Sequence, residues 1–275
     1  MLYRLFIKIY PGSQVWVIMG CFLLPSTLYF SSGIHKDGLV LLLMAVVIYG
    51  VYQSLSKNRI SIKRLLFILA GLILLFLVRN FILLALLPAL FAWILVAKTK
   101  WNTALVFISV YLFGGLAFFN INAVITKINP PDIIVKKQEA YKSLPIAATQ
   151  IELAALQPTV KSFASNIPQA LGHVLFLPYP GQQPVKSLLP FSFELYFYLF
   201  LLLLLFFFKK KDNLPADKLL MFFTLFFILT VFLFIGYIVP NIGSLIRYRS
   251  LYLPFIITPV LCSLNWEKMR GRFVI

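Results

Sequence analysis

Eight apolar runs, at about 14 to 30, 38 to 55, 65 to 79, 81 to 97, 102 to 122, 188 to 208, 219 to 239 and 251 to 266, constrain this chain more than any motif in it. Each is near the ~20 residues that a helix needs to cross the hydrocarbon core of a bilayer. With 61% hydrophobic and only 12% charged residues, too little polar surface remains to coat a water-soluble globule. The expected fold is all-α: one polytopic transmembrane helix bundle over residues 1–275, of about eight spans. A long extracytoplasmic segment with amphipathic helices, about 123–187, lies between spans five and six. The third and fourth runs are separated only by Arg79 and Asn80, which predicts a tight helical hairpin. Arg4 and Lys8 ahead of the first run imitate a signal peptide, but no small-residue cleavage site follows, so the run reads as a retained first helix.

The net charge of +17 would suggest nucleic acid in a soluble chain. Here most of the basic residues fall in the gaps between apolar runs, the distribution that orients membrane helices, and no nucleic-acid partner is expected. One alternating set of connections holds fifteen of the 25 Lys and Arg residues: Arg4 and Lys8; Lys57, Arg59, Lys63 and Arg64; Lys98 and Lys100; Lys209, Lys210, Lys211 and Lys218; and Lys268, Arg270 and Arg272. That set belongs in the cytoplasm, so both termini are expected there and the protein in the cytoplasmic (inner) membrane. Six more lysines lie in the long outer segment, where the rule carries little weight.

Four basic residues remain on the outer side at helix ends: Lys36, Arg79, Arg247 and Arg249. Singly, each can snorkel to a lipid phosphate. Together, and with the paired RYR motif, they point to a phosphate or pyrophosphate site, because the guanidinium fork grips phosphate through two parallel bonds. The outer carboxylates are few: Asp37, Asp132, Glu139, Glu152 and Glu194. Glu194 lies inside an apolar run, LPFSFELYFYLF, where it needs a partner: an arginine, a lysine or water. Asp37 suits either an N-terminal cap of the second helix, where its charge complements the helix dipole, or chemistry. His35 reads as interfacial and His173 as structural. Cys21 and Cys262 lie within apolar runs as small hydrophobes, and no Cys or His spacing suggests a metal.

In the long outer segment, Asn166 and Pro168 read as a helix start and PYPG at 178–181 as a stop, so NIPQALGHVLFLPYPG is expected to form a short amphipathic helix on the outer membrane face.

The stretches PSTLYFSSGIHKDGLVLLLMAVVIY, LLFLVRNFILLALLPALFAWIL, NIPQALGHVLFLPYPG through SFEL, and NIGSLIRYRSLYLPFI together resemble bacterial multi-spanning proteins of envelope polysaccharide assembly. These are the integral-membrane glycosyltransferases that use polyprenyl-phosphate-linked sugars, and the related O-antigen and exopolysaccharide polymerases. The resemblance implies sugar transfer at the outer face of the membrane, with a lipid phosphate or pyrophosphate as leaving group and no cofactor. Membrane lipid, a polyprenyl-linked sugar or oligosaccharide and other polysaccharide-assembly proteins are the implied partners. Arg247 and Arg249, supported by Arg79 and Lys36, would hold the leaving group, and Glu194 or Asp37 would be the base. Many such transferases carry an acidic motif in an outer loop after their first helix. No such loop stands ahead of MLYRLFIKIYPGSQVW, so the chain is expected to be either shortened relative to them or an accessory member. A non-catalytic binder or transporter of lipid-linked saccharide and a structural membrane subunit are the alternatives.

Overall fold

The computed structural model describes every residue except 34, 35, 58, 60, 126, 127, 146, 182–185, 211–214, 274 and 275, and only the backbone of 215–217 and 270–273. His35 therefore lies outside the described residues. Among those described the chain is helical, with no β-strand beyond the isolated bridges Gln150–Asn241 and Lys209–Leu264. Among the described residues five helices are long and apolar enough to cross a membrane: Lys36–Ser56, Ile62–Thr99, Thr103–Ala123, Lys186–Phe208 and Lys218–Ile238. Two broken pairs, Gln14–Phe22 with Pro25–Ser32 and Ile242–Ser250 with Leu253–Ser263, raise the number to as many as seven. This is a multi-pass membrane architecture.

Three breaks bear on the expected runs. Runs three and four are two helices that meet at a kink, taken together as α5 (Ile62–Thr99), with the break at Arg79 (φ −151°, ψ 84°), where the sequence separates them. The first run is broken into α2 (Gln14–Phe22) and α3 (Pro25–Ser32), bent by 50°. Proline has no N–H and its ring clashes with the preceding turn, so α2 stops and α3 restarts with Pro25 in its first turn. The last run is preceded by a further helix, α11 (Ile242–Ser250), and a break separates it from α12 (Leu253–Ser263) at the start of the run, where Pro254 opens the new helix.

The chain divides into two compact units, Met1–Asn80 with Phe193–Thr224 and Ser250–Ile275, and Phe81–Ser192 with Leu225–Arg249. The first opens on a helix that the apolar-run reading passes over, α1 (Leu2–Ile9). Its Leu2, Leu5, Phe6 and Ile9 are buried at helical spacing, while Arg4 and Lys8 are exposed. Backbones approach closely where glycine permits. A Cβ at Gly20 of α2 would lie 2.7 Å from Thr258 Cα of α12, and one at Gly71 of α5 would lie 2.8 Å from a Val47 methyl of α4 (Lys36–Ser56). Around α12, the residues Leu201, Leu204, Phe208, Ile257 and Leu261 form a buried cluster against which Trp16 and Trp266 pack, their rings stacked at 4.0 Å.

In the second unit, the long segment 123–187 carries two helices. The first, α7 (Pro130–Lys142), has a start signal that the apolar-run reading missed, NPPD: the Asn129 side chain accepts from Asp132 N, and two prolines fill the first turn. The second, α8 (Val160–Phe176), begins six residues earlier than Asn166, because Thr159 is the true cap and accepts from Ser162 N at 3.3 Å. Pro168 sits inside it. The expected stop holds, with the helix ending at Phe176 ahead of the PYPG turn, where Gly181 has φ +84°. Leu153 and Leu156 lie in a non-helical stretch that Gln138 and Gln169 hold through its backbone. Gly236 of α10 (Pro215–Ile238) lets that helix meet α8 backbone to backbone; a Cβ there would lie 2.1 Å from Ala170 O.

Candidate functional site

The break at Pro25 creates the most distinctive polar feature of the first unit. A helix that restarts leaves its first N–H groups without intrahelical acceptors, and within an apolar run water is not there to take them. Glu194, in the opening turns of α9 (Leu189–Phe208), fills that role from 168 positions away. Ser26 N lies 3.1 Å from both Oε1 and Oε2, and Ser26 Oγ donates to Oε1 at 3.0 Å. One turn along α9, the Tyr198 hydroxyl donates to the same Oε1 at 2.7 Å. Oε1 thus accepts three bonds and Oε2 one, so the open lone pairs are on Oε2. The side chain is half-buried. Among the described residues Glu194 makes no ion pair, which corrects the expectation of an arginine or lysine partner: a helix N-terminus and two hydroxyls hold the charge.

Asp37 meets a different fate. It lies within the first turn of α4, one residue past its start at Lys36, and is fully buried in an ion pair with Arg79. Arg79 reaches it from the irregular point of α5, 42 positions on. The Tyr252 side chain, also fully buried, stands within electrostatic reach of both charges. The Thr27 hydroxyl, on α3, donates to Ser250 O at 2.8 Å. Lys36, the residue before Asp37, is exposed.

In the second unit, Arg249 is only 4% exposed, and its Nη1 donates to Val174 O and Leu177 O, each at 2.7 Å. These are carbonyls of the last turn of α8, which have no intrahelical donor, so Arg249 caps that helix from α11. Arg247, two residues back, is half-buried, and between them Tyr248 shares a 3.1 Å hydrogen bond with Tyr141 of α7. Lys36, Arg79, Arg247 and Arg249 thus divide into two kinds. Arg79 and Arg249 are buried and engaged by protein groups, and Lys36 and Arg247 keep exposed surface. His173 is half-buried with no hydrogen-bond partner for Nδ1, and burial lowers its pKa, which keeps it neutral at pH 7. Among the described residues no three His, Cys, Asp or Glu side chains come together to ligate a metal ion.

Replacing Arg249 by Lys keeps the charge and loses the fork. We expect a loss of about 1.5–3 kcal/mol for each charged hydrogen bond removed. Faster amide exchange in the last turn of α8 would accompany it. Unchanged thermal stability and exchange would remove the capping role.

No family model, curated protein or solved structure matches the chain.

Proposed function

We propose that this protein is an integral-membrane glycosyltransferase or polysaccharide polymerase acting on polyprenyl-(pyro)phosphate-linked sugars, with Glu194 as the base. The observation that carries this reading is the environment of Glu194: a half-buried carboxylate in an apolar helix, oriented by neutral donors and with Oε2 open. Of the two carboxylates with a claim to the role, Asp37 is enclosed with Arg79, which favours Glu194. In the proposed step an acceptor hydroxyl passes its proton to Glu194 Oε2 as its oxygen bonds the anomeric carbon. The bond from that carbon to the carrier phosphate breaks, and the polyprenyl (pyro)phosphate leaves with the electron pair. Exposed Lys36 offers positive charge to that leaving group.

The same proposal includes eight spans, with α5 crossing twice about its break at Arg79, both termini in the cytoplasm, and residues 123–187 outside. The basic-residue count supports this orientation. A second reading, a structural subunit of a polysaccharide-assembly complex, draws on Arg79 and Arg249, whose charges serve the fold. Mass spectrometry of lipid that copurifies with the protein tests the first against the second. A polyprenyl-phosphate species is expected, and its absence from protein purified in mild detergent would favour the structural subunit.

A further inference from the structure

A cavity of about 480 Å³ opens between the second half of α5 and α6 (Thr103–Asn120), within the second unit. Its wall is almost wholly apolar: Phe91 and Leu95 on one side, Leu105 and Phe113 on the other, with Ser109 among them and Trp101 at the end where the two helices join. Phe91, Leu105, Ser109 and Phe113 are exposed, so the cavity is an open groove along the exposed side of the two helices. The Tyr111 hydroxyl donates to Ala85 O at 3.2 Å and fixes the two helices to each other away from that joining end. At the joining end, Lys98 and Lys100 are both exposed, one on each side of Thr99, and Lys100 holds φ +57° so that the chain can turn into α6. Asn102 then caps α6, accepting from Ala104 N and Leu105 N.

An apolar groove that ends at an indole, beside a turn that carries two exposed lysines, matches one chemistry: an aliphatic chain along the groove with an anionic head at the turn. We infer that this groove is a binding site for an anionic diacyl phospholipid, with an acyl chain between α5 and α6 and its phosphate against Lys98 and Lys100. A diacyl lipid is chosen over the polyprenyl carrier on the reading above, in which the carrier phosphate is used on the outer face and this turn lies on the inner one. The site takes no part in sugar transfer, so lipid binding and product formation fail independently.

The test is native mass spectrometry of delipidated full-length protein titrated with phosphatidylglycerol and phosphatidylcholine of the same acyl chains. Phosphatidylglycerol should bind roughly tenfold tighter, the scale set by two interfacial lysines. Lys98→Gln with Lys100→Asn, asparagine being tolerant of positive φ, should abolish that preference. Ser109→Trp, which fills the groove from an exposed position, should weaken both lipids. In the unmutated protein, phosphatidylglycerol with brominated acyl chains should quench tryptophan fluorescence, and Trp101→Phe should remove most of that quenching. Equal affinity for the two lipids, a preference that survives loss of both lysines, binding indifferent to Ser109→Trp, or quenching indifferent to Trp101→Phe would each overturn the assignment. So would tighter binding of a polyprenyl phosphate that Ser109→Trp abolishes.

Discussion

Arg79→Met should cost about 3–5 kcal/mol, the penalty for leaving a buried charge without its partner. Asp37 is fully enclosed, and Arg79 is almost so, in a setting where no water can replace the guanidinium. The double variant Asp37→Asn with Arg79→Met removes both charges and should recover most of the loss, because the pair itself stabilises little beyond offsetting its own desolvation. Thermal unfolding in detergent, followed for the wild type, both single variants and the double variant, yields the coupling directly. Losses that simply add would mean that the two side chains do not depend on each other, and α4 and α5 would then be joined by apolar packing alone.

Glu194→Gln should behave differently. The amide oxygen still accepts from the Ser26 N–H and a hydroxyl, so binding geometry survives while charge-assisted bonds become ordinary ones, a loss of about 1–2 kcal/mol. The amide cannot take a proton, so under the proposed mechanism product formation should fall by about 10²-fold or more. The contrast between the two variants follows from their surroundings. One carboxylate faces a buried cation and holds the fold; the other faces neutral donors and keeps an open oxygen.

Much of the helical framework was legible from hydropathy because long apolar runs have few alternatives in lipid. Where a run is punctuated, periodicity misleads. Pro25 turns the first run into two short helices. The start of α8 was misread because Asn166 and Pro168 imitate an opening signal, while Thr159, with Ser162 three residues on, makes the actual cap. α7 was missed although NPPD announces it, since its buried face, Ile134, Val135 and Gln138, is short and partly polar. The candidate site was legible in its residues and not in its partners. Arg249 beside an apolar stretch looks like an anion grip, yet its acceptors are carbonyls 72 and 75 positions away, which composition cannot reveal. Glu194 stood out as a charge among phenylalanines, but its main partner is an N–H group that exists only because α3 restarts at Pro25.

The most direct measurement is sugar transfer by the purified protein in lipid vesicles, with a polyprenyl-phosphate-linked donor, comparing wild type and Glu194→Gln on preparations of matched thermal stability. The Glu194 mechanism predicts turnover by the wild type and a loss of about 10²-fold or more in the variant, with donor binding retained. Equal turnover by the two proteins, both folded and both binding donor, would contradict it.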